Sequence, residues 1–186
     1  MNNKTRGRKG IIALVVVFAV PVILAKLALE MEWFNRAATN KGELLDPILH
    51  LNEIDQPEEP KWRVLYVLPS SCAEECNNAL FSLTQVWQAL GKESDRAESL
   101  VITTELSDQS PLKDLEAHQI IRLLKTDSQS VNQVFKDVST DGIFIVDTLG
   151  NIILRYPLQK EQQEAVLHSR DILADMRKLL KLSRIG

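Results

Sequence analysis

The longest apolar run lies near the start of the chain. Ile11 to Ala25 contains no charged or hydrogen-bonding side chain, and after Lys26 the run resumes at Leu27-Ala28-Leu29. As a helix rising ~1.5 Å per residue, residues 10–29 reach roughly 30 Å, the thickness of a bilayer core. Pro21 is tolerated inside a membrane helix. Lys26 can carry its amine to the headgroups. Trp33 and Phe34 follow where an interfacial aromatic belt belongs. The pattern therefore predicts a single membrane-spanning helix over residues 10–29.

Beyond it the periods shorten. Residues 30–61 form a tether in which Leu44-Leu45 and Ile48-Leu49 can supply an edge strand. The acidic, proline-bearing stretch 52–61 reads as extended linker. A folded domain is expected over 62–182. Val64 to Leu68 is a short apolar run of buried-strand type. Pro69-Ser70-Ser71 breaks it and offers hydroxyl caps. A helix follows to Leu90, closed by Gly91. Its inward stripe is Cys72, Cys76, Ala79/Leu80, Leu83, Val86/Trp87 and Leu90. A second strand covers residues 99–103, a short helix 111–118, a strand 120–124 and a short helix 128–136. Residues 142–146 and 151–156, joined by Asp147-Thr148-Leu149-Gly150, form a hairpin. An amphipathic helix over 160–182 turns Val166, Ile172/Leu173, Met176 and Leu179/Leu180 inward. This order predicts an α/β fold, a mixed sheet flanked by helices.

Charge assigns the sides. Lys4, Arg6, Arg8 and Lys9 precede the apolar run with no acid among them, so residues 1–9 form a basic cytoplasmic tail by the positive-inside rule. A cleaved signal peptide has the same outline, but residues 25–29 offer no small-x-small cleavage site. The expected placement is therefore a single-pass cytoplasmic (inner) membrane protein with its C-terminal domain in the periplasm. The first thirty residues carry five basic side chains and Glu30, and the whole chain is −3, so residues 31–186 carry about −7. A domain this acidic is a poor nucleic-acid binder.

The chemistry is concentrated in one motif. The chain has two cysteines, Cys72 and Cys76, placed after a strand and at the start of a helix. Residues four apart return to one helix face, so the sulfurs can form a disulfide or pinch a metal ion. An exported domain permits the disulfide. Free amides at a helix N-terminus stabilise a thiolate, whereas Glu74 and Glu75 oppose it, since like charge raises a thiol pKa. Two thiolates are soft ligands suited to Cu(I) and too few for a closed zinc site. His50 in the tether, His118 at a helix end and His168 off the last apolar stripe are solvated side chains on this reading.

The strand before Cys72, the Cys-x-x-x-Cys spacing and the hairpin Phe144-Ile145-Val146-Asp147-x-x-Gly150-Asn151 resemble the thioredoxin-like superfamily and, within it, the Sco/SenC group. The segment Asn40-Lys41-Gly42-Glu43-Leu44-Leu45-Asp46-Pro47 is similar to that of bacterial cytochrome-oxidase-associated membrane proteins. The resemblance implies a thioredoxin-like fold, copper as cargo held by Cys72 and Cys76, and cytochrome c oxidase or its assembly factors as partner. Two departures stand out. Sco proteins place a third copper ligand, a histidine, shortly before the hairpin, where this chain has Asp137-Val138-Ser139-Thr140-Asp141. They also place proline after the first cysteine, where this chain has Ala73.

The residues leave three readings open. One is a membrane-tethered assembly factor handling Cu(I) or keeping a copper-site disulfide reduced. Another is a broader thiol–disulfide oxidoreductase, with Cys72 and Cys76 as its redox pair. The third is a non-catalytic interaction module whose disulfide is structural.

Overall fold

Strand β2, Trp62–Val67, is buried at every position. Its alternation feeds two cores: Val64, Tyr66 and Leu68 pack on one side, Leu65 and Val67 on the other. A strand buried on both faces must be central and covered by helices on both sides. The computed structural model shows this arrangement and describes residues 4–30, 40–117, 120–136 and 138–183. Trp33, Phe34, His118 and Asp137 lie outside the described residues.

The chain divides into two units, residues 1–39 and 40–186. In the first, helix α1 runs Lys4–Glu30 with Pro21 inside it. Among the described residues no helix is long and apolar enough to cross a membrane.

The second unit holds β1 (Glu43–His50), β2, α2 (Glu74–Leu90), β3 (Ala97–Thr103), α3 (Leu112–Ala117), β4 (Ile121–Lys125), α4 (Ser128–Val134), β5 (Ile143–Val146), β6 (Asn151–Tyr156) and α5 (Gln162–Leu182). The sheet order is β1-β6-β5-β2-β3-β4. Strands β2, β3 and β4 run parallel, while β5, β6 and β1 join antiparallel. Helices α2 and α5 cover one face through Leu83, Val86, Ile172 and Met176. Helix α4 and the turn at Leu51 cover the other, against Leu65, Leu100 and Phe144. The expected mixed sheet flanked by helices is the observed fold.

The expected edge strand forms as β1, at the edge of the sheet. Residues 40–61 belong to the unit Asn40–Gly186, and the stretch expected as extended linker carries part of its packing. Strand β1 pairs with β6, and its register slips between Leu44 and Leu49, around Pro47, which has no N–H to donate and is confined to edges and bulges. The Asp175 carboxylate accepts from the Lys41 and Gly42 amides and the Tyr156 hydroxyl at 2.7, 3.0 and 2.7 Å. Gly42 is required there, because a Cβ would stand 2.5 Å from the Tyr156 ring. Asp55, one of the acids that the sequence assigns to linker, is 4% exposed. It takes two hydrogen bonds from Arg122, at 3.0 and 2.6 Å. Arg122 and the buried Arg63 also share Glu98, at 3.0 Å each. The linker composition hid this cluster because its partners lie on β2, β3 and β4, far off in sequence. On α5 the inward stripe includes Ala165, Ser169 and Asp175, and Val166 is half-buried.

Candidate thiol and copper site

Chain direction places the site. Strand β2 delivers the backbone to Leu68, whose N–H still bonds Ile102 O at 2.9 Å. Pro69 has no amide to continue the ladder, and the chain turns out of the sheet. The parallel neighbour β3 ends at the same edge, so its outgoing loop meets the outgoing loop of β2. Ser107 Oγ donates to Leu68 O at 2.7 Å, and the Asp108 amide donates to Pro69 O at 2.8 Å. Asp108 Oδ2 accepts the Cys72 amide at 2.8 Å. Its other oxygen accepts from the Ser110 amide and hydroxyl at 2.9 and 2.6 Å. The Ser110 hydroxyl first, then the Cys72 and Ser110 amides, hold the Asp108 carboxyl down at about 2. The loop ahead of the cysteines is thus stapled to the β3–α3 loop at three points.

Cys72 and Cys76 form a disulfide with Cα atoms 5.1 Å apart, within the ordinary range for a bridged pair. The two sulfurs are not equivalent. Cys76 sits in the first turn of α2 and is 3% exposed. Cys72 is half-buried and lies ahead of the helix, which begins at Glu74. The expected stripe with both cysteines on the helix is therefore corrected: only Cys76 is helical. The expected hydroxyl cap is corrected as well. Ala73 occupies the cap position with no side-chain bond, and Ser70 and Ser71 are upstream. Cys72 Sγ lies 3.6 Å from Asn77 Oδ1.

The surroundings are acidic. Glu74 and Glu75 occupy the first turn of α2. Tyr66 stands below, its hydroxyl pushed up first by burial and then by the charges of Asp141 and Glu75. Asp141 lies in the loop just ahead of β5. That loop is held by Ser139 Oγ donating to Asp141 Oδ2 at 2.9 Å and by Arg155 Nη2 donating to Asp141 O at 2.7 Å.

His50 contacts Asn151 at 2.9 Å on the edge strand, and His168 contacts Gln159 at 3.0 Å on α5. Neither is bonded to the cysteine loop. Among the described residues no group of three or more His, Cys, Asp or Glu side chains converges to hold a metal ion. The sulfurs of Cys72 and Cys76 are joined to each other as a disulfide, and only the reduced pair would present thiolates to a metal ion. Ser107 and Asp108 are the residues that sequence reading missed. Their signal was a short polar run, Ser107-Asp108-Gln109-Ser110, directly after the strand that pairs parallel with β2.

The family model for the transmembrane-like, thioredoxin-like, C-terminal domain matches residues 62–183. Among solved structures, yeast Sco1 aligns at 15% identity over 76% of this chain and 98% of its own, with a TM-score of 0.51. Yeast Sco1 with copper bound aligns at 17% over 67% and 81%, also at 0.51. The thioredoxin domain of a thiol-disulfide oxidoreductase from Bacteroides vulgatus aligns at 17% over 75% and 91%, at 0.47. No curated protein sequence matches this chain. The likenesses to the two yeast Sco1 structures show a shared fold. With its family model matched from the start of β2 to just past the end of α5, the chain belongs to the transmembrane-like, thioredoxin-like C-terminal domain family.

Proposed function

We propose that this chain is a membrane-anchored, Sco-like thioredoxin-fold protein that assists cytochrome c oxidase assembly through Cys72 and Cys76. The observation that carries the reading is the asymmetry of the pair. One sulfur is half-buried beside an acidic turn and the other is buried beneath it. Such a pair has one entry thiol and one resolving thiol. Reduced, it offers two thiolates to Cu(I) as cargo, and the flanking carboxylates favour the cation more than they favour a bare thiolate.

The anchor rests on α1. Leu14, Val15, Val17, Phe18, Val22 and Ile23 are all exposed on it, around the helix rather than along one stripe. A helix apolar on all sides belongs in a core or a bilayer. The exported placement follows from the basic residues ahead of it.

A second reading, thiol–disulfide exchange without copper, is favoured by the Cys72–Cys76 disulfide itself. There, Cys72 thiolate attacks one sulfur of a target disulfide and the other target sulfur leaves as thiolate. Cys76 thiolate then attacks Cys72, closing the intrachain bond and releasing the target's second sulfur. The target gains two electrons and this chain loses two.

Gene deletion separates the readings. On the copper reading it lowers assembled copper-containing oxidase under copper limitation, added copper relieves part of the loss, and Cys72→Ser reproduces it. Oxidase unchanged while several exported proteins lose correct disulfides favours exchange. A Cys72→Ser chain that supports oxidase like the wild type removes the cysteines from the mechanism.

A further inference from the structure

Beside the disulfide, α2 and α3 diverge and leave a groove of about 230 Å³. Asn77, whose side chain touches Cys72 Sγ, stands at one end. Leu80 and Phe81 form one apolar wall, and Pro111 and Leu115 form the other. From Asn77 to Thr84 the groove follows α2 for about 10 Å, the length of about three extended residues.

The charge around this groove is mainly acidic. Asp114 is the charged residue of the lining, Glu116 follows it on α3, and Glu74 and Glu75 open α2, with Lys113 on α3 and Lys160, 3.9 Å from Glu75, as the nearby bases. Asp114 and Glu116 are exposed. An apolar floor beside a reactive sulfur, within an acidic rim, complements an apolar segment with basic flanks.

We propose, building on the reading of Cys72 as the entry thiol, that this groove receives an extended apolar stretch of the partner polypeptide, flanked by lysine or arginine and adjacent to the partner's own cysteine. Specificity then lies along α2 and α3, and the sulfur is presented to whatever the groove has seated.

The test uses the full chain in detergent carrying Cys76→Ala, which leaves Cys72 as its sole thiol. The probes are two synthetic peptides with the same apolar core and one thiopyridyl-activated cysteine, one flanked by lysines and the other by glutamates. Cys72 thiolate attacks the peptide sulfur, the bond to the pyridyl sulfur breaks, and pyridinethione departs as the coloured product. Neutral dipyridyl disulfide measures Cys72 without any docking. The lysine-flanked peptide is expected to react about tenfold faster at low salt, with the gap closing in about 1 M salt. Asp114→Lys with Glu116→Lys, both at exposed positions, should bring the two peptides together. Phe81→Gln should slow both. Dipyridyl disulfide should react at the parent rate with all of these variants. Equal peptide rates alongside a brisk dipyridyl reaction overturn the docking proposal and leave the thiol reading standing. A Cys72 that fails to react with dipyridyl disulfide overturns the thiol reading, and the docking proposal falls with it.

Discussion

Asp108 holds Cys72 by its backbone: the carboxylate accepts the Cys72 amide at 2.8 Å. The bond joins the loops that leave two adjacent parallel strands, so the sheet topology itself brings an acid to the entry sulfur. The Asp108 carboxyl titrates near 2, below its ordinary value of about 3.9. Its folded value is depressed, so the contribution is complete above about 3.9 and is lost as pH falls through about 2. The Cys72 amide proton resonance should therefore be constant from neutral pH down to about 4 and titrate with a midpoint near 2. A midpoint near 4 would mean that the bond does not hold the carboxylate. Asp108→Asn keeps an acceptor and removes the charge, and reduced Cys72 should then react faster with small disulfides.

The cluster of Asp55, Arg63, Glu98 and Arg122 makes residues 51–55 part of the fold. Asp55 and Arg63 are 4% and 1% exposed. Asp55→Ala leaves two guanidinium groups sharing Glu98 and should cost about 3–5 kcal/mol of stability. Glu59→Ala, which removes the exposed pairing with Lys61 at 3.0 Å, should cost no more than about 1 kcal/mol. Chemical denaturation of the two variants decides the matter. Equal small effects would return this segment to the status of a linker.

Copper should bind by oxidation state. The reduced chain should take one Cu(I), lost in Cys72→Ser or Cys76→Ser, and should hold Cu(II) weakly, because Cu(II) favours an imidazole and among the described residues no histidine is bonded to the cysteine loop. A Cu(II) spectrum with thiolate and nitrogen ligation would contradict this and implicate His50, His118 or His168.

The membrane anchor predicts a product of full length in the membrane fraction, and a reporter fused after Gly186 that is active only outside the cytoplasm. A soluble chain beginning near residue 29 would show that the apolar run is a leader.

Much of this fold was legible in the sequence. The hairpin from Ile143 to Tyr156, the C-terminal stop at Gly91 and the two-sided burial of β2 follow from local pattern: alternation, a glycine in the left-handed region, an unbroken apolar run. The Gly150 turn was legible too, with φ of 83° at that glycine. Features that depended on distant partners were not legible. Asp55 looks like linker until Arg122 is placed against it, and Asp175 looks solvated until it receives Tyr156 and the 41–42 amides. Cys72 shares a helical period with Cys76, but Pro69 and the Asp108 staple end the extended chain so that α2 starts two residues after Cys72. The cysteines themselves announced the site; the inequality of their two sulfurs required the fold.

The account turns on that inequality and on the reversibility of the bond, and alkylation followed by mass measurement reads both. The folded, unreduced chain should take no label. After mild reduction, the same folded chain should take two labels, Cys72 first and Cys76 more slowly, and reduced chain that is reoxidised before alkylation should again take none and remain a monomer. If both thiols of the folded, reduced protein resist labelling, Cys72 and Cys76 are core residues and the proposed thiol and copper chemistry is wrong.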